Sequence, residues 1–150
     1  MHPPKNDALE TVSLAVLERA FAVNAYGPLL LTQALLPNLL KSTSPRVGVM
    51  SSRLGSIADN SSGGSYAYRA SKTAVNSFFK NLSVNLRDKG VVVTMMHPGF
   101  VKTNISPDVW KVPEAVEPEE AAGKLWKVFM SKGMEDSGKF WHREGMELPW

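Results

Sequence analysis

Val91-Val-Val-Thr-Met-Met96 is a nearly unbroken run of β-branched and apolar side chains, closed by Pro98-Gly99. A run of this kind reads as a strand inside a parallel sheet, covered on both faces. The residues around it supply the covers. Upstream, from about Tyr66 to Asp88, Ala70, Ala74, Phe78, Leu82 and Leu86 fall four apart, with Val75 and Phe79 widening the stripe. That spacing predicts a long amphipathic helix ended by Lys89-Gly90. Earlier still, Arg46-Val-Gly-Val-Met-Ser51 is a short apolar run after Ser44-Pro45 and predicts a buried strand. The stretch between them, Ser52 to Gly64, has the composition of a loop.

Towards the amino terminus, Leu14, Leu17, Phe21, Leu29, Leu36 and Leu40 give a helical pattern from about Thr11 to Leu40. Pro28 and Pro37 imply either a kinked helix or two helical pieces. Residues 1–8 read as a loose leader. Downstream, 99–116 is a long loop with room for a short helix. Pro118 and Glu119-Glu120 then open a helix that runs to about Ser131. Gly138-Lys-Phe-Trp-His142 reads as a last strand. Helices alternating with strands mean right-handed βαβ units and a parallel sheet, hence an α/β, Rossmann-like doubly wound fold of about three strands. Two of three strands would be edges with unpaired backbone groups, one of them at Val47–Met50. Leu14, Leu17, Leu36 and Phe78 would then bury only part of their area.

One domain accounts for 150 residues. Seventeen Lys and Arg against 14 Asp and Glu leave a net charge of +3 with no basic cluster, which argues against nucleic acid as a partner. The absence of cysteine removes a disulfide scaffold, a thiolate zinc site and a cysteine nucleophile. His2, His97 and His142 lie far apart in sequence without ligand spacing, so no metal site is expected. The leading residues carry no secretory pattern, and the Tyr26–Leu40 stretch is broken by Pro28, Gln33, Pro37 and Asn38. It falls short of the roughly 20 apolar residues of a membrane span. A cytoplasmic protein without membrane contact is expected, and the sequons at Asn60, Asn81 and Asn104 read as chance matches.

Chemistry concentrates at the start of the long helix. In Tyr68-Arg-Ala-Ser-Lys72 the phenol and the amine are one turn apart on one face. An ammonium beside a phenol favours the phenolate and suits the tyrosine to proton transfer near neutral pH. The same pair also occurs by chance in helices. Ser51-Ser52 follows the first strand, at the carboxyl end where open parallel sheets bind ligands; turn chemistry is its plainer reading. Pro98-Gly99-Phe-Val-Lys-Thr103 closes the next strand, and it too reads as an ordinary turn when taken alone.

Taken together, the segments resemble the short-chain dehydrogenase/reductase family over about Phe21 to Trp150. Phe21-Ala-Val-Asn24-Ala-Tyr-Gly27 is similar to the family's asparagine segment, and Val49-Met-Ser-Ser52-Arg-Leu-Gly55-Ser to its serine segment. Tyr68-Arg-Ala-Ser71-Lys72 is similar to the tyrosine–lysine segment. His97-Pro98-Gly99-Phe-Val101-Lys-Thr103 is similar to the loop that closes over the nicotinamide. The loop Asp59-Asn-Ser-Ser-Gly-Gly64 and the ending Gly145-Met-Glu-Leu-Pro-Trp150 resemble the C-factor/sniffer-like carbonyl reductase subgroup.

The resemblance implies an oxidoreductase that uses NADP or NAD on a small carbonyl or alcohol substrate. It implies Tyr68 as proton donor or acceptor, Lys72 on the phenol and the nicotinamide ribose, Ser52 on the substrate oxygen and Asn24 on a relay water. It also implies cofactor contacts from Tyr68, Lys72, Pro98, Gly99, Val101 and Thr103. Asn24 also reads as an ordinary helix residue or cap. No Gly-x-Gly-x-x-Gly precedes Gly27. The chain therefore corresponds to the carboxyl-terminal part of the family's fold, a fragment without the half that holds adenine and pyrophosphate, and weak dinucleotide binding by these 150 residues alone is expected. The alternative is a non-catalytic short form acting as an interaction module that pairs with a full-length relative; a homo-oligomer or such a pairing is the expected assembly.

Overall fold

The computed structural model describes residues 6–104 and 107–150. His2, most of the leader, and Ile105 and Ser106 of the Asn104 sequon lie outside the described residues. Strands β1 (Arg46–Met50), β2 (Val92–His97) and β3 (Lys139–His142) run parallel, in that spatial order. The register sets Met50 opposite Met96 and His97 opposite His142, so the carboxyl ends of all three strands finish at one level. Helix α3 (Tyr66–Asn85) covers one face: its Val75 and Phe79 pack with Val49, Val93, Met95 and Phe140. Helix α4 (Pro118–Ser131) serves the other face, where the Arg46 guanidinium donates to Phe129 O at 3.2 Å and Lys132 O at 2.5 Å. The Lys132 ammonium sits 3.3 Å from the centre of the Trp141 ring.

A fourth strand corrects the expected count of three. β4 (Glu147–Leu148) pairs antiparallel with β3, after a turn in which His142 N donates to Met146 O at 2.8 Å. Two residues are too few for periodicity to register. The edges are therefore β1 and β4, and β3 is an inner strand.

The amino-terminal helical region is continuous. Helix α1 (Leu14–Phe21) starts at Ser13, whose hydroxyl accepts from Val16 N, and passes through a π-turn (Ala22–Tyr26) into α2 (Gly27–Leu39). Pro28 has no N–H to give the carbonyl four residues earlier; the chain widens by one residue there, and Gly27 N donates to Ala22 O. Of the two alternatives read from sequence, one continuous helix rather than two pieces is found, and it is a longer apolar segment than Tyr26–Leu40. Leu14–Leu39 is a 26-residue helix, long and apolar enough to cross a membrane by length and composition. Ala25 is fully buried and Phe21, Leu36 and Leu39 pack on the core. Leu14, Leu30, Leu31 and Leu35 are each more than half exposed.

Within the described part of the expected leader, Asp7 is held in place. Asp7 is buried, and its carboxylate accepts from Ala67 N at 2.7 Å and Tyr68 N at 3.2 Å. It caps α3 in place of Ser65, which lies at φ +50° and makes no side-chain cap.

Burying a leucine side chain is worth about 1.5–3 kcal/mol, so the α2 face together with the open β1 edge favours association. The chain expressed alone should elute from size exclusion as an oligomer. Leu31→Gln with Leu35→Gln should move it towards monomer and reduce the part of its stability that depends on protein concentration. A monomeric wild-type chain would contradict this.

Candidate active site

The carboxyl ends of β1 and β2 open onto the first turn of α3, and Gly55 sets how closely that helix approaches. A Cβ on Gly55 would lie 2.7 Å from Lys72 Cβ and 2.8 Å from its carbonyl carbon, so only glycine lets the helix rest there. Thr73 Oγ1 donates to Gly55 O at 2.8 Å and fixes the contact. Lys72 is thereby carried to the end of β1, where its ammonium donates to Met50 O at 3.0 Å and lies 5.8 Å from the centre of the Tyr68 ring. Burial lowers the Lys72 pKa from its ordinary value.

Tyr68 is half-buried, and its hydroxyl makes no hydrogen bond among the described residues. Ser52 is buried just past β1, and its hydroxyl accepts from Leu54 N at 3.2 Å. Ser51 is buried beside it, with no partner for Oγ among the described residues and its N–H donating to Met96 O at 2.8 Å. Asn24 sits in the π-turn and is neither cap nor regular helix residue. Its Nδ2 donates to Ser71 Oγ at 3.0 Å, and Ser71 Oγ donates to Tyr68 O at 2.8 Å. Asn24 thus reaches the tyrosine's backbone through one serine. Ser52, Tyr68 and Lys72 share one end of the sheet, although no hydrogen bond joins their side chains among the described residues.

The segment after β2 is pinned rather than loose. Pro98 and Gly99 are half-buried, with Gly99 at φ +70°. Val101 forms a parallel bridge with Val116. Lys102 N donates to Val116 O at 3.0 Å, and Val116 N to Phe100 O at 3.1 Å. The Thr103 carbonyl accepts from Trp110 Nε1 at 3.4 Å.

Several site-building residues escaped sequence reading. Arg69, a spacer inside the tyrosine–lysine segment, donates to Gly64 O at 3.0 Å, Leu54 O at 3.3 Å and Ser62 Oγ at 2.8 Å, and so ties the Ser52–Tyr68 loop to the helix. His97 and His142, far apart in sequence, have ring centres 5.3 Å apart because their strands pair. Burial first, then the positive field of His142, Arg53 and Arg143, pushes the His97 pKa down to about 4. No group of three potential metal ligands occurs among the described residues.

A parallel α/β sheet with a serine, a helical tyrosine–lysine pair and a glycine turn at its carboxyl end is an open, doubly wound α/β fold with its candidate site where such sheets bind ligands. The chain belongs to the short-chain dehydrogenase/reductase family: the short chain dehydrogenase family model matches residues 4–113. It is 40% identical over 143 residues to the C-signal protein of Myxococcus xanthus, covering 95% of this chain and 84% of that protein. It is 36% identical over 144 residues to a 1-hydroxy-2-glutathionyl-2-methyl-3-butene dehydrogenase of Rhodococcus, covering 96% of this chain and 63% of that enzyme. Among solved structures it resembles the carbonyl reductase Sniffer of D. melanogaster, with TM-score 0.90 and 31% identity over 99% of this chain and 62% of that one. The NADPH-bound carbonyl reductase from chicken fatty liver follows, with TM-score 0.85 and 27% identity over 100% of this chain and 63% of that one. The chain thus spans less than two thirds of the length of these three enzymes.

Two measurements test the construction of the site. Asp7→Ala removes a buried cap and should cost about 1–2 kcal/mol of stability, with Asp7→Asn recovering part of it, read by denaturant unfolding. His97 is held neutral in the fold, so the unfolded state binds more protons between about pH 6.5 and 4. Stability should therefore fall as pH drops through that window, by on the order of 3 kcal/mol from this group. His97→Gln should flatten the slope, and an unchanged slope would remove His97 as its source.

Proposed function

We propose that this chain carries the proton-transfer half of an NAD(P)-dependent oxidoreductase acting on a small carbonyl or alcohol. The observation that carries the reading is Tyr68, whose hydroxyl makes no hydrogen bond among the described residues, with the Lys72 ammonium 5.8 Å from its ring centre at the carboxyl end of β1. In the reductive direction, Tyr68 Oη gives its proton to the substrate oxygen, and in the oxidative direction it takes one. The Lys72 ammonium stabilises the negative charge that gathers on the phenol oxygen as the proton leaves. Ser52 Oγ turns from Leu54 N towards the substrate oxygen and holds it. Asn24, through Ser71, keeps the first turn of α3 in place.

The residues present fit the nicotinamide–ribose end of the cofactor. Lys72 offers a cation for ribose hydroxyls, and Pro98, Gly99, Val101 and Thr103 the wall of a slot. When bound, the nicotinamide supplies or accepts the hydride. The NADPH-bound neighbour supports a phosphorylated dinucleotide as the first cofactor to try. A cytoplasmic setting belongs to the same proposal.

A second reading has its own support in the open β1 edge and the exposed Leu30, Leu31 and Leu35 of α2. On that reading the chain is an interaction module that pairs with another copy or with a full-length relative. Titration with NADPH and a panel of aldehydes and ketones separates the two. Turnover by the chain, alone or with the glycine-rich half of a solved reductase supplied in trans, supports the enzyme. Association with neither binding nor turnover supports the module.

In the active form, Tyr68→Phe should lower turnover by about 10²–10⁴-fold, the usual worth of a positioned proton donor, and leave NADPH binding within a few-fold. Lys72→Ala should weaken both. A Tyr68→Phe protein with wild-type turnover would refute the assignment.

A further inference from the structure

Arg143 follows β3 directly and is only 7% exposed, the most buried charged side chain in the carboxyl-terminal half of the described residues. Its Nη1 donates to Pro98 O at 2.7 Å and Phe100 O at 2.9 Å, and its Nη2 to Glu114 O at 3.2 Å. Nε reaches Glu144 Oε1 at 3.3 Å, and its backbone N–H donates to His97 O at 3.0 Å. Packing alone would be served by an apolar residue, because taking a guanidinium out of water is costly. What the guanidinium adds is a planar fork of five donors that spans carbonyls from separate segments at once. Those carbonyls belong to the start of the loop after β2 and to its return at Glu114. The two ends close on each other through the Val101–Val116 bridge.

Gly99 fits this arrangement. A Cβ there would stand 2.7 Å from Arg143 Nη1 and 2.9 Å from Cζ, so the bare backbone rests directly on the guanidinium. The requirement for glycine at this point therefore comes from the protein side of the loop as well as from its φ of +70°.

We propose that Arg143 is a positioning residue: by gripping Pro98, Phe100 and Glu114 it holds the Pro98–Thr103 segment in the shape in which that segment meets the nicotinamide. The link to nicotinamide rests on the reading under Proposed function; the grip itself does not. Arg143 touches neither substrate nor cofactor and acts through the loop.

The test uses the full chain with Arg143→Met, which keeps the stem, and Arg143→Lys, which keeps the charge but loses the fork. In hydrogen–deuterium exchange, the Lys102 and Val116 amides should exchange at least about tenfold faster in both variants, with β2 amides little changed. In the NADPH assay, active with or without the supplied half, the KM for NADPH should rise about tenfold while that for the carbonyl substrate stays close to wild type. Lysine should not rescue either readout. A general loss of packing would instead speed exchange across the sheet and leave the KM of the folded fraction unmoved. Unchanged exchange at Lys102 and Val116 in a folded variant overturns the proposal, as does full rescue by lysine. A wild-type protein that never consumes NADPH overturns the oxidoreductase reading and the nicotinamide role of the loop with it, whereas the exchange measurement still decides whether Arg143 holds the segment.

Discussion

The parallel pairing of β1, β2 and β3 is the constraint from which the site follows. Because Met50 faces Met96 and His97 faces His142, three chain segments leave the sheet at one level and on one side. Ser51-Ser52 leaves from the first, Pro98-Gly99 from the second and Arg143 from the third. Each exit exposes backbone groups that the ladder no longer satisfies, and each must find a partner or a ligand. A register slip of one residue would exchange the two faces of a strand. It would move Val93 and Met95 off the α3 core and His97 away from His142, so the core fixes the site and not only the fold.

Loops at such an end have few regular hydrogen bonds of their own beyond the Val101–Val116 bridge. They are held by charged side chains that reach several backbone groups at once. Arg69 binds the loop before Tyr68, Arg143 the loop after His97, and Asp7 the first N–H groups of α3. Most of these bonds end on main-chain atoms, with Ser62 Oγ an added side-chain partner of Arg69.

This division also explains what could be read from the sequence. Strands β1, β2 and β3 and helices α3 and α4 carry their signals locally, in periodicity and in the apolar run of β2, and their bounds lie within a few residues of expectation. The Tyr68–Lys72 pair is legible for the same reason: one helical turn fixes its geometry. The long-range ties are not legible. Asp7 caps a helix 60 residues away, and nothing around it distinguishes it from a leader aspartate. His97 and His142 meet only through strand register, and Arg143 reads as one more basic residue in a polar turn. The π-turn has a partial signal in Pro28, which disturbs the helix without saying that it continues. β4 is too short to write a pattern of any period.

Lys72 shows how burial works in two directions at the same residue. Partial removal from water disfavours its charge and lowers its pKa. The same removal reduces the screening between that charge and the phenol beside it. At the 5.8 Å that separates the ammonium from the Tyr68 ring centre, two unit charges are worth about 3 kcal/mol at an effective dielectric of 20 and under about 1 kcal/mol in bulk water. A fully exposed lysine would keep its proton more firmly and act on the phenol weakly; a fully buried one would lose the charge that makes it useful. The Met50 carbonyl, bonded to the ammonium at 3.0 Å, offsets part of the burial cost and holds the amine at the intermediate depth. That depth is set by how far α3 descends onto Gly55. A residue with no side chain, outside the chemistry itself, thus adjusts the field in which the proposed proton transfer would occur.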